Sequence, residues 1–298
     1  MKVLITGITG YIGSHLARRL LAEGHQVSGL VRLPVHTAYI QDITDKITLL
    51  RYDGSGARLL EQMQADRPEL VYHLATYYTG SHEMEHVSKL VDANVTLGAF
   101  LLEAMAACGC RNIIYASSVM EHYRGQEYCP LNLYAATKRA FYDLLCYYAD
   151  AGILHTGVLV LSDTYGPGDQ RPKVLNLIRR HMGSGEPIDL SDGQQDYAAV
   201  YIDDVVSAFE LAGRQLCAGQ WDHEIFQVLP DENYTLRETV DKLLACSGAT
   251  VCARWGARPP ADREIRETVR LYPPVPGWAP RVTLEEGLQR LVGRPGNE

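Results

Sequence analysis

Tyr134 and Lys138 stand four residues apart in Leu133-Tyr134-Ala135-Ala136-Thr137-Lys138. On a helix two such residues share a face, with Cβ atoms about 5–6 Å apart. An ammonium beside a phenol favours phenolate and lowers the tyrosine pKa from its usual value of about 10. Such a phenol can give or take a proton near neutral pH. Ser118 closes the apolar run Tyr115-Ala116-Ser117-Ser118. Its hydroxyl can hydrogen-bond a substrate oxygen as charge develops there. The tyrosine–lysine spacing is common by itself. Ser118 turns it into a set suited to moving a proton at a carbonyl or alcohol.

A second signal lies at the N-terminus. The short apolar run 3–6 leads into Gly7-Ile8-Thr9-Gly10-Tyr11-Ile12-Gly13, followed by helical spacing. Gly7 permits a tight turn, Gly10 lets a pyrophosphate approach the backbone, and Gly13 lets helix and strand pack closely. The helix N-terminus then offers free N–H groups and a partial positive charge to phosphates. A strand before and a helix after the glycines point to a dinucleotide. Folds that prefer NAD usually end their second strand on an acid that holds the ribose 2′-hydroxyl. Here that place reads Val31-Arg32. An arginine can pair with a 2′-phosphate, so NADP(H) is the expected cofactor, with NAD(H) as the alternative.

Elements that alternate along the chain must hold these groups. Strand signals cover 3–6, 26–31, 47–52, 70–74, 112–117 and 156–161, and helical spacing covers 11–23, 90–108 and 133–149. This alternation predicts an α/β fold, a Rossmann-type doubly wound parallel sheet covered by helices. Beyond Tyr165 the pattern loosens. Residues 200–212 read as a helix and 225–229 as a strand, and the proline-bearing tail from Asp231 reads as a smaller, mostly helical lobe. The expected division is a dinucleotide domain of 1–165 plus about 197–230, and a substrate lobe of about 166–196 plus 231–298.

Composition narrows the function classes. The formal net charge is −8, and no basic run tracks a phosphate backbone, so nucleic acid is not an expected partner. The seven cysteines are irregularly spaced, which suits free thiols in a reducing compartment better than a zinc site. No apolar stretch reads as a membrane span or signal peptide, and a cytoplasmic address is expected.

Taken in order, these segments resemble the extended short-chain dehydrogenase/reductase family, in its nucleotide-sugar epimerase, dehydratase and reductase branch. The resemblance runs over nearly the whole chain. It is carried by Thr6-Gly7 through Gly13, Asp53-Gly54, His73-Leu74-Ala75, Asn94-Val95, Ser118, Tyr134 with Lys138, and Tyr165-Gly166-Pro167-Gly168. Tyr201-Ile202-Asp203-Asp204-Val205, Gly277-Trp278 and Leu284-Glu285-Glu286-Gly287-Leu288 complete it. It implies that Tyr134 is the general acid/base, that Lys138 holds the nicotinamide ribose, and that Ser118 orients the reacting oxygen. Asp53 and Gly54 would meet the adenine, Leu74, Ala75 and Thr76 would line the cofactor cleft, and Asn94 would support it. The implied substrate is a nucleotide-diphosphate sugar. The implied assembly is a homodimer built on the 90–108 and 133–149 helices.

Within that branch, 4,6-dehydratases resemble one another in a Thr-Asp-Glu run, where the acids eliminate water. This chain has Ser118-Val119-Met120 there, and neither Val119 nor Met120 can move a proton. Glu121 falls one position late, so a structural role and a catalytic role are equally open to it. Epimerases of the branch tend to keep the acid after the second strand. Val31-Arg32 therefore favours a reductase of a 4-keto (deoxy)sugar nucleotide, with an NAD-dependent epimerase as the alternative and an NADP(H)-sensing regulator as a remote one. The chain departs from the family pattern at Asp163, where asparagine is common, and at Gln195-Asp196-Tyr197, which lacks an arginine that often meets the diphosphate. Arg171, Lys173, Arg179 and Arg180 are the candidates to compensate. Tyr77, Tyr78 and His82 are candidates for the wall of the sugar pocket.

Overall fold

A computed structural model describes residues 1–293. The chain opens with β1 (Lys2–Thr6), α1 (Tyr11–Ala22), β2 (Gln26–Arg32), β3 (Thr48–Tyr52), α2 (Gly56–Asp66) and β4 (Leu70–His73). Next, α3 (Met84–Val91) continues through one π turn, Asp92–Thr96, into α4 (Leu97–Cys108). Then come β5 (Asn112–Ser118), α5 (Leu133–Asp150), β6 (His155–Leu161), β7 (Asp163–Tyr165), α6 (Val174–His181) and β8 (Pro187–Leu190). The last elements are β9 (Ala199–Tyr201), α7 (Ile202–Cys217), β10 (Glu224–Val228), α8 (Leu236–Ser247), β11 (Cys252–Trp255) and α9 (Leu284–Val292).

Seven strands form one parallel sheet in the order β10-β6-β5-β4-β1-β2-β3. Its strands are apolar on both faces, as a sheet covered twice requires. Val3, Ile5, Tyr72 and Ile114 face a cluster that includes Leu16 of α1 and Phe209 of α7. Leu4, Val71, Ile113 and Tyr115 face Met63, Leu101 and Phe141, from α2, α4 and α5. Strand order reverses at β1, which pairs with β2 on one side and β4 on the other. Ligands of open α/β sheets bind at the carboxyl ends of strands beside such a reversal. The glycine loop leaves β1 there, and Ser118 ends β5 on the same edge.

The doubly wound sheet read from the alternation is present, and several elements lie outside that reading. α2 and α6 fill stretches given no helix above, and α3 starts at Met84, ahead of the helix read over 90–108. β7 pairs with β9 and β8 with β11, both in parallel. The tail is only partly helical: residues 256–283 hold no helix or strand among those described. Its prolines remove N–H donors and set φ, so regular structure cannot propagate through it.

One expectation is corrected. Met84–Cys108 is a single 25-residue helical run, long and apolar enough by composition to cross a membrane. Leu97, Leu101, Leu102 and Met105 are buried in the core beneath the sheet, so its apolar character serves packing.

Candidate active site

Gly7 has φ 74°, in the left-handed region that glycine enters without steric cost. A Cβ there would meet Leu74 C and Ala75 N at 2.8 Å, so the loop also lies against the chain leaving β4. A Cβ on Gly13 would fall 2.3 Å from Gly7 O, which is why α1 can start this close to the turn. Gly10 is the N-cap of α1, and no side chain caps that end. Its Cβ would meet only Gly7 O, at 3.2 Å, so the approach to the helix N-terminus is otherwise open. Thr9 lies in the turn and Tyr11 and Ile12 in the first turn of α1, the Tyr11 hydroxyl donating to Pro167 O, and an uncapped helix N-terminus of this kind suits a pyrophosphate.

Two buried hydrogen-bond hubs tie the neighbouring strands to it. Thr6 Oγ1 accepts from the Ala75 N–H at 3.1 Å and lies 2.8 Å from His73 Nδ1. Burial, reinforced by Lys138, pushes the His73 pKa down to about 3, so the ring is neutral and can accept the Thr6 proton. The second hub is Asn94, in the π turn. Its Oδ1 accepts from Thr76 Oγ1 at 2.9 Å and the Tyr77 N–H at 2.8 Å. Its amide nitrogen donates to Tyr77 O at 3.1 Å and Thr137 Oγ1 at 2.9 Å. Asn94 thereby joins the loop after β4 to α5, the helix that carries Tyr134 and Lys138.

α5 starts at Asn132, whose side chain accepts from the Ala135 N–H at 2.9 Å. Tyr134 and Lys138 are both buried on its inner face. Lys138 Nζ lies 5.8 Å from the centre of the Tyr134 ring and 4.6 Å from that of Tyr115, and it donates to Ala116 O at 2.7 Å. The expected drop in the Tyr134 pKa is not found. Burial holds the phenol well above its usual range, and a hydrogen bond with Thr76 offsets only part of that. The ammonium is committed to the Ala116 carbonyl, and desolvation outweighs it. Burial lowers Lys138 itself to about 8, with Glu121 acting in the opposite direction. Ser118 Oγ accepts from the Met120 N–H at 3.2 Å, which leaves its own proton free to donate.

These elements set a glycine cradle, a neutral buried phenol, a buried ammonium and an orientable hydroxyl along one strand edge. The NAD dependent epimerase/dehydratase family matches residues 3–226. The chain belongs to that family. It is 28% identical over 242 residues to a CDP-abequose synthase of Yersinia pseudotuberculosis, covering 80% of this chain and 82% of that one. It is also 28% identical over 312 residues to a UDP-glucose 4-epimerase of Mycolicibacterium smegmatis, covering 98% and 97%. Among solved structures it resembles Thermus thermophilus UDP-glucose 4-epimerase in complex with NAD, with a TM-score of 0.84, 25% identity and 98% of both chains covered. It is an enzyme-type member of the sugar-nucleotide epimerase/dehydratase branch.

In this family member the peripheral candidates fall in different places. Arg32 is exposed at the end of β2. Asp53 is occupied by the Ser55 N–H at 3.1 Å and Arg58 at 2.8 Å, which hold its carboxyl below the usual range. Gly54 beside it has φ 98°. Tyr78 stands edge-on to Tyr134, ring centres 4.9 Å apart, and Lys173 Nζ lies 5.5 Å over Tyr78. Lys173 also pairs with Asp163 at 2.5 Å, a partnership that spacing alone did not reveal. Arg171 forms a forked pair with Asp169 and packs over the Tyr11 ring at 4.7 Å. It therefore braces the loop after β7 against α1. Arg179 and Arg180 donate to the carbonyls of Leu291 and Gln170. Tyr77 stacks toward His86, while His82 is exposed. Glu121 is buried, accepting from Ser117 and from the Ser118 N–H.

Proposed function

We propose that the enzyme reduces a 4-keto (deoxy)sugar nucleotide with NADPH. The observation that carries this reading is the charge at the end of β2. Arg32 is exposed there, and the first acid after it, Asp42, is held by Arg18 Nε at 2.9 Å. No carboxylate is then offered to a ribose 2′-hydroxyl, while an arginine is offered to a 2′-phosphate. The names of the relatives, a CDP-abequose synthase and UDP-glucose 4-epimerases, support a nucleoside-diphosphate sugar as substrate.

Bound nicotinamide would supply hydride to the sugar carbon. Tyr134, neutral and buried, is suited to protonate the oxygen of that carbon as charge builds on it. Ser118 donates a hydrogen bond to the same oxygen, and Lys138 keeps a positive charge behind the phenol. Tyr78 and Lys173, at the mouth beside Tyr134, contact the sugar or its phosphates. Val119 and Met120 offer no group for eliminating water. The enzyme works in the cytoplasm as a homodimer built on α4 and α5, and light scattering at micromolar concentration that reports a monomer would refute the dimer.

A second reading, an epimerase with tightly held NAD, is favoured by the T. thermophilus neighbour, whose complex holds NAD. Two measurements separate them. The reductase requires a lower KM for NADPH than for NADH, and the preference should shrink or reverse in Arg32→Glu. The epimerase instead predicts stoichiometric NAD released on denaturing the purified protein.

A further inference from the structure

Glu121 is 1% exposed. It sits on the α5 face of the sheet, where Arg139, Tyr142, Val158 and Tyr272 border it around a cavity of about 10 Å³. Burying a carboxylate is costly unless its oxygens are paired. Here one of them is paired twice, with the residues that lead into Ser118. One oxygen accepts from the Ser117 hydroxyl at 2.7 Å and from the Ser118 N–H at 3.1 Å. Ser118 Oγ in turn accepts from the Met120 N–H at 3.2 Å. The short turn Val119–Glu121 is thus closed by a reciprocal cap between Ser118 and Glu121.

That arrangement restrains Ser118 twice. Its peptide is pinned by Glu121 from one face of the sheet. Its hydroxyl oxygen is pinned by the turn that Glu121 closes, so the O–H proton has a restricted set of directions. Ser117 and Ser118 point to opposite faces of β5, because side chains alternate along a strand. Glu121 therefore grips the strand end from behind while Ser118 faces the cleft.

We infer that Glu121 is a positioning residue for the reduction: from behind β5 it fixes the orientation in which Ser118 meets the reacting oxygen, touching neither substrate nor cofactor. The inference rests on the role given to Ser118 under the proposed function. Nothing in it depends on which sugar is reduced.

Glu121→Val removes the acceptor and strands two buried donors. Glu121→Asp keeps the charge but withdraws it by one methylene, and serves if the valine protein does not fold. Glu121→Gln keeps one oxygen for both donors. Misplacing a group that acts at the transition state should lower kcat roughly 10- to 100-fold with little change in KM. That loss is expected for Glu121→Val and, in smaller degree, for Glu121→Asp, while Glu121→Gln should stay within about threefold of wild type. In a Ser118→Ala background Glu121→Val should cost nothing further, since residues acting as one unit are not additive. Full additivity, or an unchanged kcat in Glu121→Val, overturns the inference. Wild-type turnover with a 4-keto sugar nucleotide, or with a sugar-nucleotide epimer pair instead, decides the reaction first. The kcat ratios are then read on whichever reaction the wild type performs. If it performs neither, amide exchange in the peptide spanning 115–121 takes their place. Faster exchange at Ser118 in Glu121→Val supports the inference, and unchanged exchange overturns it.

Discussion

Lys138 and Tyr134 are in contact through their surroundings more than through each other. The ammonium donates to Ala116 O, and the phenol sits among buried groups that keep its proton on. A neutral phenol is the correct starting form for an enzyme whose proton step is donation. An enzyme that began by oxidising an alcohol would instead need a base at that position. Lys138 is the group whose charge is most easily lost, because desolvation lowers it to about 8. Below that value the amine is protonated and lends its charge to the site, and above it the charge is lost. kcat should therefore fall as pH rises through about 8. Lys138→Arg, whose guanidinium stays charged, should abolish that basic limb even where it lowers the plateau. A pH–rate profile of both proteins checks this. A wild-type profile flat from pH 7 to about 10 would count against it.

The π turn between α3 and α4 is the element on which the site's geometry depends most. It adds a residue to the helix and so turns Asn94 toward both Thr76 and Thr137. Asn94→Ala would leave two hydroxyls and both backbone groups of Tyr77 short of partners inside the protein. The expected cost is about 2–4 kcal/mol, or a melting temperature lower by roughly 5–10 °C. A calorimetric scan that shows no shift would rule out the hub. Asn94 was visible in the sequence only as part of a resemblance, and its four bonds depend on a bulge that helical spacing does not encode. The glycine loop and the Ser118, Tyr134, Lys138 set were legible because each depends on local order: a turn, a strand end, one helix face. Elements built from distant pairing were not. β8 pairs with β11 across residues 187 to 252, and neither strand has an alternating pattern long enough to declare itself. α2 does carry a readable signal, Ser55 capping a helix with Leu59 and Met63 one turn apart. Arg171 looked free in the sequence because Asp169, its partner two residues away, is brought to it by a turn.

At the scale of the whole molecule, the irregular run 256–283 has to be held in place by something other than its own backbone bonds. Asp196, which accepts from the Thr268 N–H and hydroxyl, and Gln215, which donates to Pro276 O, are two such anchors, and Asp204 and Gln227 are two more. Asp204 accepts from the Arg281 and Val282 N–H groups, both at 3.0 Å, and its carbonyl accepts from Trp278 Nε1 at 3.1 Å. Gln227 of β10 accepts from the Leu271 N–H at 3.0 Å and donates from its amide nitrogen to Val269 O at 2.6 Å. Its own backbone N–H reaches Pro273 O at 2.8 Å. Residues 258–272 then return over the loop that separates Ser118 from Tyr134. There Arg263 donates to Pro130 O at 2.8 Å, and Tyr272 packs edge-on against His122. Residues 258–272 and the loop before Tyr134 are therefore fastened together and to the sheet, and Gln227 ties the run directly to β10. Gln227→Leu preserves the volume and the apolar packing of β10 but removes all three side-chain bonds, to Val269 O and from the Leu271 and Tyr272 N–H groups. It should cost about 1–3 kcal/mol. The effect should be local: 258–272 loosens while the glycine cradle, four strands away in the sheet order, keeps its geometry. The KM for the sugar nucleotide should rise severalfold while the KM for the dinucleotide stays put, and trypsin should cut faster at Arg263, Arg266 and Arg270. A matched rise in both KM values would mean that the sheet itself had been disturbed. Cleavage at the wild-type rate would mean that the run is held elsewhere.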